Sequence, residues 1–486
     1  MISAELDAVR TSARADVGEA FGSLTAALLD QSTDRTALGE LVDTALDATP
    51  PDRVPYILIF LGLAAETTEG AAATAVRSAL GRRIEGYLRI LADSAPGSPA
   101  RLASLYLVAH LTEARDAVLD AAAGLGLDAA EHSRLDRCLQ REIPADPRIT
   151  RCWPAPSVWA DLGADADARD QIWMGRLSPE LTAAAWGHET RSMLAYLGAR
   201  ALWAAGHPPP FEVPMPAVAL PTAERHVDVA AAANGHGSIL RCPVCRGRLT
   251  ITTASARCQS CAADFPVTKH YVDLSQGIGE ELDLMAENVV LRYGELRSSF
   301  FRLMGGNWAG PMSPLDEDAY LRDHVRPADG PVLDLAAGTG RWTAELAATF
   351  GTGRVIALDL AGAMNREIAR TLPDIANLRA SALALPFADG SLGAVNCWNA
   401  LQMLPDPAAV FAEVGRVLRR GGTFTVLTFR KAADPADRYF QSRQFGVHGV
   451  RQFDHAEMTG WLADAGMSVR DLSGPNNLLL LTAVRT

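Results

Sequence analysis

The chain is 486 residues long and 48% of them are apolar, enough for roughly three domains of ordinary size with real cores. Its 40 Gly and 28 Pro are too few for a collagen-like or disordered chain. Asp plus Glu (57) outnumber Lys plus Arg (45), giving a formal charge of −12 and a pI near 5.4, which excludes long-range attraction to phosphate backbones or anionic membranes. Lys269 and Lys431 are its only lysines, and no polybasic run exists.

Residues 1–205 read as helix after helix, with apolar positions spaced three and four apart (Leu102, Leu105, Tyr106, Ala109) and breakers at Pro50-Pro51, Pro96-Gly97 and Pro144. The start has early acids and no apolar core, so no secretory leader is expected. The longest apolar stretch, Tyr56 to Ala65, is about half the roughly 20 residues that a membrane span requires. A cytoplasmic protein with no membrane partner is the expectation. The helical domain carries no chemical motif and no fixed repeat; an interaction, capping or substrate-enclosing role, with homo-oligomerisation through it, is what it offers.

Residues 206–238 form a Pro-rich linker in which Pro208-Pro209-Pro210, Pro214, Pro216 and Pro221 predict a stiff, extended connector. A small unit follows at 239–275. Its pairs Cys242-Pro-Val-Cys245 and Cys258-Gln-Ser-Cys261 are separated by twelve residues. Each pair sets two thiolates on one tight knuckle, and a hairpin between them predicts a four-sulfur tetrahedral zinc site. With four protein ligands there is no open position, so this zinc is structural. Cys138, Cys152 and Cys397 stay unpaired in this reading.

Residues 276–325 read as a helical connector or lid, and 326–486 as alternating strands and helices, the pattern of a doubly wound α/β sheet. An apolar strand ends at Asp334, and Gly338 and Gly340 turn the chain into a helix near Arg341. The next strand, 354–359, ends at Asp359, about twenty residues after the glycines, where an acid accepts both hydroxyls of a ribose.

Five stretches in order, 333–340, 358–364, 384–392, 399–407 and 413–424, resemble the class I S-adenosylmethionine-dependent methyltransferases, in the branch with quinone C-methyltransferase-like patterns. The resemblance implies a Rossmann-like, seven-stranded methyltransferase domain, here preceded by an all-α domain and a zinc ribbon. It implies that Asp334, Ala336, Gly338 and Gly340 hold the methionine part of S-adenosylmethionine and Asp359 the ribose. Leu360 and Met364 would sandwich the adenine, and Ser381, Ala382 and Leu383 border its amino edge. Asn399, Ala400 and Met403 would line the donor methyl and the substrate mouth, with core packing as the alternative for Leu360, Met364 and Met403. Ser381 stands where the family usually has an acid, Leu392-Gly393 replaces a Phe-Asp pair, Arg420 a Pro and Gln402 a His. These changes thin the polar groups expected near the transfer site.

The ribbon with Asp264-Phe-Pro-Val-Thr268, then Phe300 to Trp308 and the glycine turn, is similar to the ribosomal RNA guanine N1-methyltransferases with an N-terminal zinc ribbon. That likeness keeps an RNA base open as substrate, supported by Arg241, Arg246, Arg248 and Arg257 and opposed by the net charge. The leading expectation is methyl transfer to O, C or N of a small aromatic or polycyclic natural-product metabolite. A third reading keeps the cofactor without methylation, as a scaffold or in a reaction such as a cyclisation. In the insert 437–448, Tyr439, Phe440 and Phe445 suit a flat substrate and His448 is the best candidate base. His455 is weaker, because Asp454 and Glu457 read as a capping box. Trp308 and Tyr320 are candidate lid aromatics over the cofactor.

Overall fold

In a computed structural model, residues 1–147, 149, 163–215, 228–279, 282, 290, 293–444 and 449–486 are described. The first two hundred form helices packed around Val54–Thr67, in which every residue from Pro55 to Ala64 is buried. That helix has no polar face, so it needs neighbours on all sides. It packs against Pro99–Val108 and the long helix Pro179–Gly206. The long helix opens with Ser178, whose hydroxyl accepts from Leu181 N at 3.2 Å, and with Pro at its first turn.

The core of this helical region is not closed on itself. It includes Leu303, Trp308, Ala436 and Phe440 from the C-terminal half. Phe440 is fully buried, edge-on to Tyr106 at 5.5 Å, and its ring fills the space in front of Gly198. A buried Phe contributes roughly 1.5–3 kcal/mol, so the insert that carries Phe440 is an anchor between the two halves. This corrects the expected substrate-facing role of Phe440. Tyr439 lies in a separate polar cleft with Glu66 and Arg443. Phe445 and His448 lie outside the described residues, as does Cys152.

Trp308 is buried against Tyr196 at 5.3 Å. The Tyr320 hydroxyl bonds Asp471 at 2.7 Å and Thr482 at 3.1 Å while its ring stacks on His324. Both are packing residues, not lid aromatics. The linker is only partly extended. Val213 N donates to Trp308 O at 2.9 Å, and Val229–Asn234 is a helix capped by Asp228, which accepts from Ala231 N. Pro216 and Pro221 lie outside the described residues.

Two sheets follow. The ribbon has an antiparallel sheet of β1 (Leu249–Ile251), β2 (Ser255–Cys258) and β3 (Asp264–Pro266). The main sheet has eight strands: β4 (Val272–Asp273), β5 (Val332–Leu335), β6 (Val355–Asp359), β7 (Ala376–Arg379), β8 (Leu392–Trp398), β9 (Leu418–Phe429), β10 (Met467–Ser473) and β11 (Leu478–Arg485). Their order is β10-β11-β9-β8-β5-β6-β7-β4. Strands β5 to β9 and β4 run parallel, and β10 and β11 antiparallel to their neighbours. Seven of the strands lie in the C-terminal segment as expected, and the ribbon adds the eighth. Parallel strands covered on both faces read as unbroken apolar runs, and β5 and β8 are buried at every position. Ribbon residues Leu240, Cys242, Ile251, Cys258 and Phe265 share one core with Leu333, Leu358 and Leu378 of the main sheet.

The expected capping box does not form, because each of its acids is taken by a cation. Lys431 pairs with Asp454 and Arg451 with Glu457, leaving His455 exposed on the first turn of its helix. Gly393 answers a packing need: a Cβ there would sit 2.4 Å from Ala328 O, where the loop entering β5 crosses β8.

Candidate active site

Strands β5, β6 and β8 end along one edge of the sheet, where open α/β sheets place their ligands. After β5 the chain turns through Ala336 (φ +56°), Gly338 (+56°) and Gly340 (+85°) before the helix Arg341–Phe350. A Cβ on Gly340 would stand 3.1 Å from both Ile368 and Leu372, tight packing added to the strain of a left-handed φ. Ala337 N donates to Leu358 O at 3.1 Å and ties the turn to β6.

Asp359 ends β6. Its Oδ2 accepts from Gly338 N at 2.8 Å and its Oδ1 from Ala361 N at 2.9 Å. These two backbone amides orient the carboxylate. It borders a cavity of about 470 Å³. Ala336, Gly338, Leu360, Met364, Ser381, Ala382, Leu383, Asn399, Ala400 and Met403 line the same cavity. Leu360 and Met364 stand beside Ala361, and Leu383 and Met403 are apolar and exposed at its mouth. Ser381 Oγ accepts from Leu383 N at 3.2 Å, so the hydroxyl that replaces the usual acid also shapes its own turn.

Two expected members are not in the lining. Asp334 lies beneath the turn, 2% exposed, accepting from Thr343 Oγ1 at 2.6 Å and Asn396 Nδ2 at 2.8 Å. Burial pushes its carboxyl up to about 6. Asp334 therefore holds the strand end and the helix start together from behind, and Gly340 allows the close approach of the helix 362–371.

Sequence reasoning missed Tyr293, Trp342 and Trp398, which form the aromatic part of the wall. Trp342 follows the glycine turn by two residues, a signal that position alone offered. Burial raises the Tyr293 phenol above the ordinary value. Gln402 is 1% exposed and does not face the cavity. It donates to Asn399 O at 2.9 Å and Asn399 Oδ1 at 3.1 Å, and accepts from Thr428 Oγ1 at 3.0 Å. Gly393 lies at the opposite end of β8 from the cavity. Neither departure removes a polar group from the lining, which takes away the reason for a non-methylating reaction.

The four expected metal ligands do meet. The Sγ atoms of Cys242, Cys245, Cys258 and Cys261 all lie within 4.8 Å of one another. Cys242–Cys261 is 3.7 Å and Cys245–Cys258 3.4 Å, against an edge of about 3.8 Å for a tetrahedron of sulfurs at the usual zinc distance. Backbone N–H groups of Cys261 and Ser260 point at Cys258 Sγ and hold that thiol down to about 6. The donor set fits zinc. Arg246 and Ala262, each just after a second cysteine, take the left-handed backbone that closes the knuckle. Cys138 and Cys397 are free and buried, as expected.

Residues 332–422, the segment that carries this cavity's glycine turn, match the family described as the methyltransferase domain. The chain carries a methyltransferase domain. It is 29% identical over 222 residues to an uncharacterized chloroplastic methyltransferase of Arabidopsis thaliana, covering 40% of this chain and 62% of that one. It is 37% identical over 118 residues to a demethylmenaquinone methyltransferase of Roseiflexus castenholzii, covering 23% of this chain and 48% of that one. A complex of the Haloferax volcanii Trm112 methyltransferase activator with a methyltransferase aligns at 19% identity and a TM-score of 0.33, over 41% of this chain and 97% of that one. The match spans 62% and 48% of the length of these two curated relatives. Among the described residues no helix is long and apolar enough to cross a membrane.

Proposed function

We propose that the protein transfers the methyl group of S-adenosylmethionine to O, C or N of a small aromatic or polycyclic metabolite. The observation that carries this reading is Asp359, aimed by two backbone amides at the end of a cavity sized for a nucleoside and a modest acceptor. Residues Asp359, Gly338 and Ala336 would hold the ribose and methionine parts, with Leu360 and Met364 against the adenine. The bound sulfonium supplies an activated methyl, which leaves with its C–S electron pair going to sulfur as the thioether. The protein contributes alignment and exclusion of water. Trp342 and Trp398, 5% and 2% exposed, make that end of the cavity dry. The four cysteines would hold a structural zinc.

Calorimetry with S-adenosylmethionine and S-adenosylhomocysteine tests the reading. Binding is expected in the wild type and a loss of at least tenfold in Asp359→Ala, since about 1.4 kcal/mol is tenfold and charge-assisted bonds exceed that. No heat with either nucleoside overturns it. A second reading, an RNA base as acceptor, draws on Arg248 and Arg257, exposed on the ribbon, while Arg246 pairs with Glu413 at 3.4 Å. Phosphate contacts make affinity fall steeply with salt, so binding of RNA hairpins across a salt series separates the two.

A further inference from the structure

The ribbon reaches the cavity through the loop by which the chain leaves it. Cys258 ends β2, which pairs with β3, and a tight turn follows in which Thr268 N donates to Tyr271 O at 2.9 Å. The chain then runs as β4 against β7, and Leu274 N donates to Arg379 O at 2.8 Å. Two further turns carry it onward, Ile278 N donating to Ser275 O and Leu282 N to Gly279 O, each at 3.1 Å. Ile278 and Leu282 line the cavity.

One buried guanidinium fastens the root of this loop to the cavity wall. Arg379 donates from Nη1 to Asp273 Oδ2 at 3.4 Å and from Nε to Leu360 O at 2.9 Å. Asp273 Oδ1 in turn accepts from Ser275 N at 3.0 Å and from Ser275 Oγ at 2.6 Å. Gly279 has φ +80°, and a Cβ there would stand 2.8 Å from Leu360 Cγ, so the loop backbone lies directly on Leu360. Leu282 packs with Ala361, Ala363 and Met364. Ile278 is nonetheless 55% exposed, and Leu383 and Met403 are exposed at the same mouth. Apolar side chains gathered around an open cavity leave water when a ligand fills it.

We infer that the ribbon's exit loop is part of the nucleoside site. Ile278 and Leu282 cover the base together with Leu360 and Met364, and the Asp273–Arg379 pair fixes the loop in that place. Strands β2, β3 and β4 lead from the cysteines to this loop. Filling of the four-cysteine site and nucleoside affinity are therefore linked, each raising the other by one common factor. The inference rests on the methyltransferase reading and adds to it a metal-dependent control of cofactor binding.

The test uses the full zinc-loaded chain and S-adenosylhomocysteine. By calorimetry, the affinity is expected to fall about tenfold in the double variant Ile278→Ala with Leu282→Ala. Zinc affinity without nucleoside, read by competition with a chromogenic chelator, is expected to be unchanged in that variant. Saturating nucleoside should tighten zinc about fivefold or more in the wild type, and by less than about twofold in the double variant. A double variant that binds the nucleoside like the wild type overturns the inference. Zinc affinity in the wild type that the nucleoside leaves unchanged overturns the linkage. The calorimetric arm needs no stripping, so it decides even where the zinc-free chain unfolds. Failure of the zinc-loaded wild type to bind the nucleoside is a separate result, which sinks the methyltransferase reading itself.

Discussion

The indole nitrogen of Trp398 donates over 2.7 Å to Glu317, a carboxylate with no exposed surface. The second partner of Glu317 is Arg297, itself 9% exposed and stacked 3.9 Å from the Phe301 ring centre. A buried pair of this kind is expensive to break from one side, because the remaining charge is left unsolvated. Glu317→Ala should therefore destabilise the fold by about 3–5 kcal/mol, and Glu317→Met with Arg297→Met together by much less. Urea unfolding of the wild type and these two variants measures this. Equal losses in the single and the double variant would refute it.

Asp334 makes a signed prediction for pH. Its folded-state carboxyl is raised from 3.8 to about 6, so between those values the folded chain binds more protons than the unfolded one. Stability attributable to this group thus falls as pH rises from about 4 to 6, by up to about 3 kcal/mol. Asp334→Asn removes that slope. The wild type minus variant difference, measured by denaturant titration at several pH values, should move in the variant's favour across this window and stay flat above it.

Gly198 and Phe440 couple the helical region to the C-terminal half. A Cβ on Gly198 would lie 2.3 Å from the Phe440 ring. Gly198→Ala should cost about 1–3 kcal/mol through overpacking. In a Phe440→Leu background the same change should cost less, since the ring edge it strikes is gone. Thermal melts of the four proteins in a double-mutant cycle check the sign of the coupling.

Metal removal has a predicted reach. The segment 239–241 is hydrogen-bonded to Pro386 and Ala388, and Leu274 N to Arg379 O at 2.8 Å. Both segments adjoin residues 380–383 of the cavity wall. Cys258→Ser, or stripping with a strong chelator, should raise amide exchange at 272–279 and 376–388 while leaving 54–67 protected. Elemental analysis should find about one zinc per chain before stripping and none after. Exchange confined to 242–261 would contradict the predicted spread.

What could be read from the chain was what spacing encodes. Asp359 twenty residues after the glycines, the 381–383 stretch and Asn399 to Met403 all follow strand ends, and strand ends converge on one edge. The four cysteines were legible for the same reason. Tyr293, Trp342 and Trp398 were not, because an aromatic at helical or strand spacing reads first as core. Asp334 was placed one layer too high: nothing in its spacing shows that Thr343 and Asn396 take both of its oxygens. Trp308 was assigned to a lid over the cofactor and Phe440 to a substrate, because the chain alone does not reveal that the N-terminal helices pack against them. Gln402 was read as a missing acid–base group, whereas its two amide bonds make it a clamp on Asn399.

The short strand β4 has a consequence for the C-terminal domain in isolation. Val272 and Asp273 cover the outer side of β7, whose row of amides and carbonyls would otherwise face solvent as a template for another chain. A fragment cut at the start of β5 should retain its turn and its carboxylate yet be prone to edge-to-edge clumping. The ribbon, on this view, serves as a hem that keeps the sheet from fraying into its neighbours.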